Sequence, residues 1–141
     1  MKPLDLSTHA PRGPRAQLGG IIFLPRTIDK ARASLPGGKL GLYTMQGFSA
    51  MMLETLGVAA EDFIIRVGAA ASDDEIAAFI QPIADPERVA AWNRLVLERL
   101  PRNGDRASAI VHYPWLANRP DLILAVDVLE EDDRQIFRPA P

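Results

Sequence analysis

The chain has 141 residues, 48% of them hydrophobic and 24% charged, with a formal net charge of −2 and no cysteine. A chain of this length buries roughly two-thirds of its unfolded surface, and its composition is that of an ordinary folded domain rather than a disordered one. The missing thiols exclude a disulfide framework, a thiolate nucleophile and cysteine-ligated zinc or iron–sulfur clusters.

The first residues lack the apolar stretch of a secretory signal. No apolar run approaches the roughly 20 residues of a membrane span. The slightly acidic total argues against a nucleic-acid partner. A cytoplasmic protein without a membrane partner is expected. Charge is uneven along it: residues 1–33 hold Lys2, Arg12, Arg15, Arg26, Lys30 and Arg32 against Asp5 and Asp29, a surplus of +4 that leaves −6 for the remainder.

In chain order, residues 1–17 carry Pro3, Pro11 and Pro14 and little apolar periodicity, which reads as an extended arm lying over the domain, anchored by Leu4 and Leu6. Leu24, Ile28, Ala31 and Leu35 then form one helical stripe, ended by Pro36-Gly37-Gly38. Its start is open: Pro25 either sits in the first turn or kinks a longer helix that begins near Leu18. The longer, kinked helix is the preferred reading. The glycines from Gly37 to Gly47 predict a loop, after which Ser49 caps a short helix that buries Met52, Leu53 and Leu56 and closes at Gly57.

A further helix over 60–67 buries Phe63, Ile64 and Val67 and ends at Gly68. Ser72-Asp73-Asp74-Glu75 has the form of a capping box and starts a helix with Ile76, Phe79, Ile80 and Ile83 on one face. Asp85-Pro86 opens the next helix, whose stripe is Val89, Trp92, Val96 and Leu100, and residues 101–105 break it. Residues 107–129 read as helix or as strand. Ile110 to Tyr113 can pair with Ile123 to Val126 as a small sheet, but helix is preferred, with Pro120 in a first turn. Glu130-Glu131-Asp132-Asp133 is expected to be solvated. The fold class is therefore mainly α: a compact single domain over residues 1–141, of five to seven short helices with an extended N-terminal arm.

The block Pro11-Arg12-x-Pro14-Arg15, then Leu18-Gly19-Gly20, Leu24-Pro25-Arg26 and Asp29-Lys30-x-Arg32-Ala33 resembles a family of small uncharacterised bacterial proteins defined only as a domain of unknown function. The resemblance continues more weakly through Gly41 and Tyr43, Leu56-Gly57, the Ser72 to Glu75 cap and the Asp127 to Asp133 segment. It implies no activity. The family pattern has His, Asn and Cys after the glycine loop, where this chain reads Tyr43-Thr44-Met45-Gln46-Gly47-Phe48.

Chemistry is sparse. Asp29 lies three residues from both Arg26 and Arg32, so a helix lets it face two guanidinium groups, with Arg12 and Arg15 folding over from the arm. With Lys30 and the close-approach pair Gly19-Gly20, these residues form a candidate site for a phosphate or carboxylate. The competing reading is an ion-pair network that pins the arm to the helix, and such networks are commoner than ligand sites. No nucleotide loop, catalytic triad, calcium loop or metal-ligand spacing occurs, and no cofactor is implied.

His112 sits in the aromatic cluster His112-Tyr113-Pro114-Trp115. The first reading is a non-enzymatic helical module that binds a small anionic ligand or a partner protein through the basic block. The rivals are an enzyme with Asp29 or His112 as its acid–base group and a structural homodimer joined by exposed apolar helix faces.

Overall fold

The structure, a computed structural model, describes residues 1–139. Among these residues the order is β1 (Gln17–Leu18), β2 (Ile21–Ile22), α1 (Leu24–Ala33), α2 (Phe48–Leu56), α3 (Ala60–Ala69), α4 (Asp73–Ile80), α5 (Pro86–Glu98), α6 (Arg106–His112) and α7 (Ala125–Ile136). Two short 3-10 turns, Pro101–Gly104 and Pro114–Asn118, flank α6. The mainly helical class follows from the 3.6-residue stripes, and no helix is long and apolar enough to cross a membrane among the described residues.

The preferred long helix from Leu18 does not form. Leu18 pairs with Ile21 in an antiparallel hairpin whose two turn residues, Gly19 (φ 58°) and Gly20 (φ 77°), both lie in the left-handed region. That is the backbone a two-residue hairpin turn demands and only glycine adopts freely. The apolar run beyond it therefore begins as a strand, and Pro25 falls in the first turn of α1, where its missing N–H costs nothing.

The arm runs across this unit as expected. Leu6 is fully buried, and the backbone of Leu4 and Leu6 exchanges hydrogen bonds with Lys39 at 2.9 and 2.8 Å. The core gathers one stripe from each long helix: Leu24 and Ile28 of α1, Met52 of α2, Phe63 of α3, Ile76 of α4, Val96 of α5 and Val126 of α7, all fully buried. A smaller cluster of Ala109, Leu116 and Val128 joins α6 to α7.

Several boundaries differ from the sequence reading, each for a local reason. Ser49 does not cap α2; it lies inside the helix, fully buried, bonded to Thr27 Oγ1 at 3.1 Å. α3 passes through Gly68, whose lack of a side chain lets Leu35 approach to 2.9 Å from where a Cβ would stand. The capping box does not form: Glu75 accepts from the Ala71 N–H at 2.9 Å, one residue before the cap, and Ser72 makes no cap bond.

Asp85 caps α5 by accepting from Glu87 N at 2.9 Å, as the motif predicts. Residues 107–129 are helical where they are regular. Pro120, however, sits in a turn before α7, because the Arg106 guanidinium takes the carbonyls of Arg119 and Leu122 at 2.8 and 2.5 Å and holds that segment out of the helix. Ile123 stays outside α7 and is exposed. The acidic run Glu130 to Asp133 is not simply solvated. It lies on α7, with Glu130 and Asp133 paired to Arg15 and Arg26 of the basic block and Glu131 to Arg119 and Arg134.

Candidate functional site

The six charged candidates of the basic block separate into two groups once the helix forms. Asp29 faces the arm, not Arg26 or Arg32. Its carboxylate accepts from Arg12 three ways: the backbone N–H at 2.8 Å, Nε at 3.0 Å and Nη2 at 2.9 Å. The same guanidinium reaches Asp73 at the start of α4, so Arg12 ties the arm to two helices.

Arg15 spans Asp127, at 2.7 Å, and Glu130 of α7. Arg32 Nε donates to the Lys2 carbonyl at 2.8 Å. Gly19 and Gly20 edge a separate, apolar groove of about 640 Å³ with Ala77 and Val89, and the Gly20 carbonyl accepts from Asn93 Nδ2 at 2.8 Å. Arg12, Arg15, Gly19, Gly20, Asp29 and Arg32 are thus occupied in holding the arm and hairpin.

Arg26 and Lys30 are four residues apart and share one face of α1, next to the Asp29 clasp. Arg26 is almost fully buried; Nη1 and Nη2 donate to the two oxygens of Asp133 at 2.8 and 2.9 Å, and Nη1 also to the Arg12 carbonyl at 3.1 Å. Its Nε is buried without a hydrogen-bond partner, and its guanidinium lies 5.8 Å from the Phe23 ring and 5.5 Å from the Tyr43 ring. Asp133 also accepts from the Tyr43 hydroxyl at 2.8 Å. Burial and that bond to a carboxylate both raise the Tyr43 pKa, so the phenol stays protonated.

Lys30 is different. It is only 7% exposed, yet among the described residues the only bond its ammonium makes is to a neutral partner, Ser49 Oγ, at 3.4 Å. It sits 5.3 Å over the Phe23 ring, an attraction to the π face that partly replaces an anion. Burial and then the neighbouring Arg26 charge pull its pKa down to about 8, against a weaker, through-space pull from Asp133.

Both side chains line an open cleft of about 630 Å³ between α1, α2, α7 and the turn after α5. Arg102 and Asn103 form its rim, Tyr43 and Phe48 one wall, and His112 and Asp132 another. Burial and then repulsion from Asp133 raise the Asp132 pKa. Among the described residues three non-glycine positions have positive φ, namely Phe23 (78°), Arg102 (51°) and Asn103 (55°), and all three line this cleft. Left-handed backbone at such residues is strained, and strain of this kind collects at binding and catalytic sites.

Phe23 is held in that state by packing: its ring meets Phe48 and Trp92 edge-on at 5.5 and 6.5 Å, and Trp92 Nε1 donates to the Ile22 carbonyl at 2.8 Å. The His112, Tyr113 and Trp115 rings do cluster, His112 edge-on to Tyr113 at 4.6 Å, with His112 exposed at the cleft mouth. Among the described residues no group of His, Cys, Asp and Glu is arranged to hold a metal ion.

Of the sequence candidates, then, the cleft collects Arg26, Lys30 and His112, and adds Tyr43, Arg102 and Asp132. The i, i+4 spacing of Arg26 and Lys30 was the available signal for the first pair. For Arg102 the signal was the Arg-Asn-Gly break after α5, readable as a stop but not as a rim. Asp132 had none, because nothing local distinguishes it within an acidic run. A family model described as a domain of unknown function (DUF5069) matches residues 8–135, and the chain belongs to that family. None of the curated proteins compared matches it.

Proposed function

We propose that this member of the DUF5069 family binds a small anionic molecule, a carboxylate or phosphate compound, in the cleft between α1, α2 and α7. Lys30 is the anchor and Arg102 meets the ligand at the rim. The observation that carries this reading is the Lys30 ammonium, buried at a cleft wall with a hydroxyl and an aromatic face in place of a carboxylate.

Burying a lone charge costs several kcal/mol, so such groups are ordinarily paired or replaced by apolar side chains. An oxyanion entering the cleft supplies the missing partner, in surroundings of low dielectric where the attraction is strong. Arg26 and Tyr43 act one step removed, with Asp133 balancing the Arg26 charge so that the wall carries the net positive field of Lys30. The clasped arm supports this site rather than forming it. The cysteine-free composition and the family resemblance support a bacterial cytoplasmic setting for the binding.

Thermal unfolding with inorganic phosphate and with lactate as probes tests the reading. Ligand at a hundred times its Kd adds about 2.7 kcal/mol to stability, a rise in Tm of several degrees for a chain this size. The rise is expected in the wild type and in Arg15→Ala, reduced in Arg102→Ala and absent in Lys30→Met. Equal responses in the wild type and Lys30→Met, or none from either anion, contradict it.

A further inference from the structure

The chain has three lysines, Lys2, Lys30 and Lys39. Lys2 is exposed and Lys39 lies on the surface near Asp5. Only Lys30 is enclosed, beside a second cation and an aromatic ring, at the wall of a cleft. We infer that Lys30 is a carbonyl-capturing amine: it forms an imine with a small aldehyde or ketone that carries an anionic group, the oxo acids being the simplest case. This rests on the anion-binding reading above and specifies the ligand class.

Three features of the cleft fit that chemistry. First, a desolvated lysine next to another cationic group is the arrangement that makes an amine nucleophilic near neutral pH, and here Arg26 follows the same face of α1 while burial removes water from the ammonium. A pKa of about 8 leaves a substantial neutral fraction at mildly alkaline pH. Secondly, Ser49 Oγ, 3.4 Å from Nζ, holds the amine in one place on the buried side.

Thirdly, Arg102 stands at the rim with its backbone fixed in the left-handed region, where it receives the anionic group of a substrate whose carbonyl points inward.

The step balances without an oxidant or a further reactant. The neutral Lys30 amine adds to the carbonyl carbon, forming the C–N bond as the carbonyl π pair moves to oxygen. That oxygen takes a proton and the nitrogen loses one, giving the neutral carbinolamine. Protonation of its hydroxyl from solvent at the open mouth of the cleft releases water as the nitrogen pair forms the C=N bond. The resulting iminium keeps the positive charge that Lys30 carried, so the electrostatics of the cleft are preserved.

Reductive trapping of the full chain reads this directly. Pyruvate and cyanoborohydride are added, the protein is digested, and adducts are mapped at Lys2, Lys30, Lys39 and the α-amino group. Enrichment of about tenfold or more at Lys30 over the other two lysines is expected, in line with the gain that positioning and amine activation bring. Lactate, which has the same carboxylate and no carbonyl, suppresses it. Lys30→Arg removes the nucleophile and loses the adduct, while Arg15→Ala, which lies outside the cleft, keeps both the adduct and the lactate-induced rise in Tm.

Adducts spread over Lys2 and Lys39 with Lys30 unmodified, in a wild-type chain that still responds to lactate, overturn carbonyl capture and leave anion binding standing. If neither lactate nor pyruvate alters Tm and no Lys30 adduct forms, both fall. Should pyruvate trap Lys30 undiminished by lactate, the amine is reactive but the oxo-acid assignment is overturned.

Discussion

The two faces of α1 put the same kind of residue to opposite uses. On the arm side, Arg12 meets Asp29 and Asp73, and further along Arg15 meets Asp127 and Glu130; each cation has at least one carboxylate in contact. On the cleft side Arg26 is also matched, by Asp133, but Lys30, one turn on, is given a hydroxyl and a phenyl face. Satisfied charge fastens an extended segment that has little apolar surface of its own. Unsatisfied charge, set among three strained residues, costs stability and gains something only when another molecule arrives. Mutations on the two faces should therefore change stability in opposite directions, and ligand response on one face alone.

The largest effect is expected where the two faces share an acidic helix. Asp133→Ala leaves the Arg26 guanidinium buried without its bidentate partner and strips the Tyr43 hydroxyl of its acceptor. A loss of about 3–5 kcal/mol in denaturant unfolding is expected, the usual result of orphaning one member of a buried pair.

Next is Arg12→Ala. It leaves Asp29, 5% exposed, with only a backbone N–H and frees the arm from α4, for about 2 kcal/mol, measurable in the same way. A smaller loss would mean that Leu6 and the remaining bonds of Arg15, Arg32 and Lys39 hold the arm without Arg12.

Lys30→Met should move the other way. Replacing a lone buried charge by an apolar chain of similar length is neutral to stabilising, by about 1–3 kcal/mol. Its pH signature has a definite sign. The folded pKa of about 8 lies below the ordinary lysine value, so between these two values the unfolded chain binds more protons and stability rises with pH. The burial penalty is present in full below about pH 8 and is relieved as pH climbs towards about 10.4. Unfolding free energies across pH 7–10.5 should rise in the wild type and lose most of that rise in Lys30→Met. A steeper fall with pH in the wild type than in the variant contradicts the assignment.

The smallest effect belongs to Arg15→Ala. Its side chain is 40% exposed and its two partners are on the surface of α7, so less than about 1 kcal/mol is expected. The difference between its Tm and that of the wild type should also shrink the most of the four with added salt.

The contrast between the faces also explains which parts of the molecule the residues announce. α5 is readable at its start and along its face, because Asp85-Pro86 opens it and Trp92 and Val96 mark its buried stripe, all local signals; its end is not, since it stops at Glu98 and leaves Leu100, expected in the stripe, beyond it and exposed. The hairpin at Gly19-Gly20 was hidden by its brevity: two-residue strands have no period to detect, and the helical spacing of Leu24 and Ile28 runs straight up to them.

The oxyanion reading of the block depended on which carboxylate each arginine would find. Those pairings span 17 residues for Arg12 with Asp29, 107 for Arg26 with Asp133 and 115 for Arg15 with Glu130. No spacing rule reaches so far. The acidic run at 130–133 looked like a solvated face for the same reason: the partners of Glu130 and Asp133 lie at the other end of the chain. Lys30 could be recognised as the odd cation only after every other pairing had been made.

The most direct measurement is the titration of Lys30 itself. With three lysines in the chain, its Cε resonance can be assigned by comparison with Lys30→Met and followed by heteronuclear NMR from pH 6 to 11, with and without saturating lactate. A buried ammonium held open for an anion predicts a midpoint near 8 in the free protein, displaced upward when the carboxylate binds, because an adjacent negative charge favours the protonated form. A midpoint at the ordinary lysine value of about 10.4, or one near 8 that saturating anions leave unmoved, would contradict it.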